Sequence, residues 1–256
     1  MSETLDALGI LPGAVEFVIG QREQRERAQG FFNDPVGWAK YMLDMDLWSK
    51  QREVVDSVLA NKSTAVKAGH GVGKSLLSAV LVCWWVDTRY PDCGVATTAP
   101  SWDQVNTIIW DEIRKQKAII EQRFEDGLID HKLPGYITSE AKWRSYESGQ
   151  TLAQGRRPPE NTEESAFQGL HGRILAIGEE AAGLTGEIID GLGNITTNEA
   201  SRRLIIGNPT NPNSYFGKVF KDVDGSWSLI SISVLESPNF TDEKNEMSED
   251  ALGKLS

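Results

Sequence analysis

The sequence predicts an α/β fold, a mostly parallel central sheet with helices on both faces. Three observations predict it. Apolar runs of strand length alternate with helical segments along most of the chain. A glycine-rich loop, Gly69 to Gly73, joins a short apolar strand to an apolar helix. Two later apolar runs, ending at Gly178 and Gly207, each pass directly into polar residues. In such sheets ligands bind at the carboxyl ends of the strands.

Taken in order, residues 1 to about 30 contain a polar run, Gln21 to Arg27, read as a solvated helix or mobile arm. Phe31, Trp38, Tyr41, Leu43, Val54, Val55, Val58 and Leu59 carry helical spacing. Thr64 to Ala68 is a strand, and Lys74 to about Asp87 is a helix apolar nearly all round, which requires burial on most faces. Cys93 to Thr98 is the second strand, and Ser101 caps a helix reaching about Ile120. Residues 121–170 read as irregular. Strands follow at Arg173 to Ile177, Arg203 to Ile206 and Trp227 to Val234, and the polar tail after Asn239 is expected to be poorly ordered.

Composition narrows the function. The 256 residues carry 26 basic against 37 acidic side chains, a net charge of -11, so nucleic-acid contact requires local patches. Two cysteines, of which Cys83 sits in an apolar run, give neither a disulfide framework nor a zinc site. No signal pattern opens the chain, and the run Leu76 to Val86 is too short to span a bilayer. Trp84, Trp85, Trp102, Trp110 and Trp143 are expected in core or interface packing.

Three motifs carry chemistry. "KAGHGVGKS", Lys67 to Ser75, fits a phosphate-binding loop except that Ala68 stands at the first glycine position. Glycine permits the backbone angles that bring N–H groups against phosphate oxygens at a helix start. Gly69, His70, Gly71, Val72 and Gly73 form the cradle, Lys74 reaches the terminal phosphates, and Ser75 ligates Mg²⁺. "ILAIGEEA" ends a buried run with two carboxylates. Because strand side chains alternate, Glu179 is read as the metal-side group and Glu180 as the group that activates water. "LIIGNPTNP" ends another run at Asn208 and Thr210, either of which is placed to sense a γ-phosphate.

With these motifs in this order the chain resembles the ATPase domain of the large terminase subunit of tailed bacteriophages, from about Phe31 to Phe240. "LWSKQREVV" resembles the family's adenine-binding segment, with Gln51 on the base edge and Trp48 as a stacking surface. "ATTAPSWDQV" resembles the strand-to-helix segment after the phosphate loop, "AFQGLHGRILAIGEEAAGL" the Walker B region, and "IIGNPTNPNSYF" the coupling motif. The resemblance implies a P-loop NTPase of the additional-strand type (ASCE), with the coupling strand between the Walker A and Walker B strands. It implies ATP and Mg²⁺, hydrolysis that drives double-stranded DNA into a procapsid, a homo-oligomeric ring, and small-subunit and portal partners. It implies no membrane, and a site of action in the host cytoplasm. It divides the chain into an arm (1–30), an ATPase domain (31–240) and a tail (241–256) leading toward a nuclease domain, for which no carboxylate cluster is present.

There are departures from the family pattern. Glu179 stands where the family has aspartate, so direct and water-mediated metal contact both remain open. His70 stands where some relatives carry an arginine, so the stabilising positive charge is sought elsewhere, in this chain or in a ring neighbour. Arg156, Arg157, Arg202 and Arg203 are the candidates, with Arg156 carried forward as catalytic. The competing readings are a helicase-type enzyme, which needs a second motor domain, and a nucleotide switch, against which the paired glutamates argue.

Overall fold

A computed structural model describes residues 12–156, 169–221, 225–247 and 249–253. Helix α1 (Pro12–Gly30) leads into α2 (Pro35–Leu43) and α3 (Ser49–Ala60). Asp34 starts α2 by accepting a 2.8 Å bond from the Gly37 N–H, with Pro35 in the first turn where no amide hydrogen is needed. Strand β1 (Ser63–Ala68) then enters the glycine loop, and α4 (Lys74–Arg89) leaves it. Every residue of α4 from Leu77 onward is buried. The reason is its position: it packs on the sheet and is covered by α1, α2 and the helix after the second strand.

Strand β2 (Cys93–Thr98) is followed by a capping box in which Ser101 Oγ accepts from Gln104 N at 3.2 Å. The helix begins as α5 (Trp102–Gln104), passes through a π-helical turn (Val105–Ile109) and continues as α6 (Trp110–Glu125). The segment 121–170, read as irregular, instead adds β3 (Tyr136–Ile137), β4 (Lys142–Arg144) and β5 (Thr151–Gly155). These strands are short and weakly patterned, so no local signal marks them. What holds them is tertiary: β5 pairs parallel to β2, and the buried Trp143 donates its indole N–H to Pro134 O at 2.6 Å.

The remaining elements are β6 (Arg173–Gly178), α7 (Gly186–Ile195), β7 (Arg202–Gly207), α8 (Tyr215–Val219), β8 (Ser228–Ile232) and α9 (Glu249–Gly253). The sheet has eight strands in the order β3-β4-β5-β2-β6-β7-β1-β8, parallel from β5 through β8, with β3 and β4 antiparallel at one edge. Strand β7 lies between β1 and β6, as expected for the additional strand. One buried cluster fills the α4 face, including Trp38, Trp84, Trp85, Trp110 and Trp143. A smaller one, with Ile189, Leu192 and Phe216, lies under α7 and α8.

The stretch after β8 is not a loose tail. It forms tight turns at Val234–Glu236, Pro238–Phe240 and Asp242–Glu246. The Glu243 carboxylate accepts bonds from Ser49 N (2.6 Å) and Ser49 Oγ (2.9 Å), which fastens this segment to the positive end of α3. Among the described residues no helix is long and apolar enough to cross a membrane.

Candidate nucleotide site

The site lies along the carboxyl ends of β1, β6 and β7. Ala68 belongs to β1 and is buried, so the position that departs from the motif is strand, not turn. The turn needs glycine further on: Gly71 and Gly73 sit at φ 70° and 76°, and Gly73 is the residue from which α4 starts. These angles point loop amides toward the space above the helix N-terminus, where an anion is favoured.

Lys74 and Ser75 occupy the first turn of α4. Lys74 Nζ donates to Gly69 O at 2.7 Å and to Asn208 Oδ1 at 2.9 Å. Burial lowers the Lys74 pKa, opposed by the charges of Glu180 and Glu179. Ser75 Oγ donates to Glu179 Oε2 at 2.9 Å. Asn208 Nδ2 in turn lies 3.0 Å from His70 Nε2. Asn208 therefore touches both the loop histidine and the loop lysine. Thr210, the other sensing candidate, is exposed beyond it.

Burial raises the Glu179 pKa, and Glu180 adds to this. The Ser78 and Ser75 hydroxyls and the Lys74 charge oppose it. Its Oε1 is buried without a hydrogen-bond partner, as is Ser78 Oγ one turn beyond Ser75. Apart from the nearby Ser78 hydroxyl, which makes no well-formed hydrogen bond, this enclosed carboxylate oxygen has no donor, and Mg²⁺ favours one or two carboxylates together with phosphate oxygens. Ser75 and Glu179 thus fit the ion.

Glu179 and Glu180 lie beyond β6, which ends at Gly178, so strand alternation does not set their directions. Glu179 is buried and Glu180 half-buried, and Glu180 is left-handed, at φ 47° and ψ 44°. A non-glycine residue there is strained, and such strain clusters at functional sites. Gly207 permits this bend: a Cβ on it would lie 2.6 Å from Ala181 N and 3.2 Å from Glu180 C.

Two expectations are corrected. Trp48 has no exposed surface and belongs to the core, so it offers no face to a base. Its position just before α3 makes it the hydrophobic anchor of that helix. Arg202 and Arg203 sit at the amino end of β7, about 17 and 13 Å from its carboxyl end at ~3.3 Å per residue. Arg202 bonds Leu59 O and Glu199 O. Arg203 bonds Ser63 Oγ and Ile189 O and stacks 4.0 Å over Trp227. Arg156 is on the correct edge, just past β5, with its N–H on Thr97 O and its Nε on Gln154 Oε1. Arg157 lies outside the described residues.

Gln51 is buried in the first turn of α3. Its Oε1 accepts from Trp48 N at 3.4 Å, and its Nε2 has no partner. Ser78 and Gly207 were not singled out in the sequence. The spacing of Ser78 after Ser75 and the position of Gly207 before Asn208 were the available signals.

No family model matches the chain. It is 25% identical over 202 residues to a probable terminase large subunit of Enterobacteria phage P7, covering 74% of this chain. The chain spans only 39% of that relative's length. Its structure is similar to the large terminase ATPase domain of Thermus phage P74-26, with TM-score 0.58 at 12% identity, covering 86% of this chain and 96% of that one. The chain has the fold of a large-terminase ATPase domain. The large terminase of bacteriophage D6E in complex with ADP is also similar, with TM-score 0.53 at 14% identity, covering 80% of this chain and 48% of that one. The terminase resemblance read from the motifs is thus met in the fold.

Proposed function

We propose that this chain is a Mg²⁺-dependent ATPase whose hydrolysis cycle drives double-stranded DNA into a phage procapsid. The observation that supports it best is the meeting of Lys74, Ser75, Glu179 and Asn208 at the carboxyl ends of β1, β6 and β7. On this reading residues 31–240 are the ATPase unit, 1–30 an arm and 241–256 a lead-out. Nuclease activity is not part of the proposal.

The loop from Gly69 to Gly73 holds the phosphates by its amides, and Lys74 moves its charge from Asn208 onto the terminal phosphates. Ser75 and Glu179 would hold Mg²⁺, which when bound would neutralise phosphate charge. Glu180 orients the attacking water and takes up its proton as the oxygen bonds to the γ-phosphorus and the bond to ADP breaks. Gln51 reads the base edge. Arg156, or an arginine from a ring neighbour, stabilises the charge of the transferring phosphoryl group. Asn208, released from Lys74 while ATP is bound, passes the nucleotide state to the loop beyond it. The partners on this reading are duplex DNA, the small terminase subunit, the portal and further copies in a ring, in the host cytoplasm.

Steady-state ATP hydrolysis, with and without duplex DNA, tests the proposal. Lys74→Ala is expected to abolish turnover. Glu180→Gln is expected to bind ATP yet lose roughly 10²- to 10⁴-fold in rate, the range for a positioned acid or base. Normal turnover by Glu180→Gln removes Glu180 from the mechanism, and a preference for GTP removes Gln51 as the adenine reader.

A further inference from the structure

The nucleotide reading leaves the base without a platform, because Trp48 is buried. The direction in which the base must point follows from the sheet. Glu179, Glu180 and Asn208 follow β6 and β7, on one side of β1, whereas β8 borders β1 on the other side. A nucleotide whose terminal phosphate lies toward Asn208 therefore directs its base toward the exit of β8.

What stands there is a short rigid strap, Val234–Glu236. Ser233 N donates to Glu236 Oε2 at 2.7 Å, and Leu235 N donates to Ser233 Oγ at 3.3 Å, which fixes its geometry. One end sits against the phosphate loop: Gly69 N donates to Ile232 O at 3.3 Å, and Val234 Cγ2 fills the space a Cβ on Gly69 would take. The other end reaches α3, where Glu236 pairs with Lys50 at 3.5 Å, next to Gln51. The strap thus spans from the phosphate loop to the helix that carries the orphaned Gln51 amide. Yet Val234 is 38% exposed and Leu235 71% exposed. A planar purine face laid on these two aliphatic groups would remove their apolar surface from water, which is favourable.

We propose that Val234 and Leu235 form the apolar platform on which the nucleotide's purine base rests, with Gln51 at the base edge. This rests on the nucleotide reading above and names the residues that replace Trp48 in it. Leu235 contributes affinity for the base and nothing to the phosphates, whereas Val234 also packs on Gly69 of the loop, so Leu235→Ala separates the two contributions.

The test is equilibrium binding of ATP and of inorganic tripolyphosphate, both with Mg²⁺, to the wild-type chain, to Leu235→Ala and to the double variant Val234→Ala/Leu235→Ala. Leu235 is exposed, so its truncation leaves the fold in place. The expected result is ATP affinity weakened about 5- to 10-fold, the scale of one partly covered aliphatic side chain. Tripolyphosphate binding should stay within about twofold of wild type, because variation below ~0.4 kcal/mol lies within that range. Unchanged ATP affinity in both variants overturns the platform, as does an equal loss for both ligands in Leu235→Ala. A wild-type chain that binds neither ligand overturns the nucleotide reading itself, a result distinct from either of these.

Discussion

Lys74 Nζ lies 2.9 Å from Asn208 Oδ1, so the phosphate-loop lysine is held by the residue that follows the neighbouring strand. The amide oxygen occupies a bonding position on the ammonium that a phosphate oxygen would take over. Asn208→Ala removes this competitor. Hydrogen bonds to charged groups are worth ~1.5–3 kcal/mol, and part of that is returned to ATP binding. ATP affinity is therefore expected to rise by up to about tenfold, while DNA stimulation of turnover falls. Titration calorimetry and DNA-dependent turnover check both. A loss of ATP affinity would show that Asn208 contacts the nucleotide rather than competing with it.

Burial holds the Glu179 carboxyl above the ordinary carboxylate range, against the Ser78 and Ser75 hydroxyls. A raised acid pKa means the folded chain without metal is favoured in its protonated form. That stability is present at low pH and is lost as pH rises through the folded value. Melting temperature of the metal-free chain should therefore decline as pH rises above the usual carboxylate range. Ser78→Ala removes a hydroxyl that opposes the shift and is expected to steepen this decline. The same decline in wild type and Ser78→Ala would show that the hydroxyl does not act on Glu179.

His131 is fully enclosed between Asp87 (Nε2 to Oδ2, 3.0 Å) and Asp130 (Nδ1 to Oδ1, 2.9 Å), and Trp38 Nε1 donates to the same Asp87 oxygen at 2.8 Å. Burial works to lower the imidazole pKa, but the two aspartates outweigh it and raise it. Its contribution to stability is complete below the ordinary histidine value and is lost as pH rises through the higher folded one. Melting temperature measured from pH 6 to 9 should therefore decline across that window. His131→Gln should flatten the decline and cost about 3 kcal/mol, the scale of breaking a buried charged pair.

Gly207 separates β7 from the strained bend at Glu180. Gly207→Ala places a methyl 2.6 Å from Ala181 N, a backbone atom that cannot rotate away. The expected cost is ~1–3 kcal/mol of stability, with Glu180 displaced and turnover reduced more than ATP binding. Equal losses in kcat and in ATP affinity would point to general loosening instead.

Much of the fold was legible because its signals are local. A strand, a glycine loop and an apolar helix follow one another within Thr64 to Asp87, and Ser101 caps the next helix as its residue type suggests. The strands β3 to β5 were not legible, because Trp143 and the pairing of Ala153 with Val95 depend on partners distant in the chain. Trp48 misled for a related reason. An aromatic beside Gln51 reads equally as a stacking face or as a core anchor, and only the packing around it distinguishes the two.

The sequence by itself determined the class of site: a phosphate loop, a carboxylate pair and a polar strand end, in an order compatible with one sheet. It did so because glycine, lysine and carboxylate chemistry is written residue by residue. Only the tertiary structure decided which groups meet. It put β7 between β1 and β6, which brings Asn208 onto Lys74. It sent Arg202 and Arg203 to the far edge and kept Arg156 on the near one. It also set an exposed Leu235 between the loop and Gln51. Strand order and side-chain direction arise from long-range burial, and no local spacing encodes them.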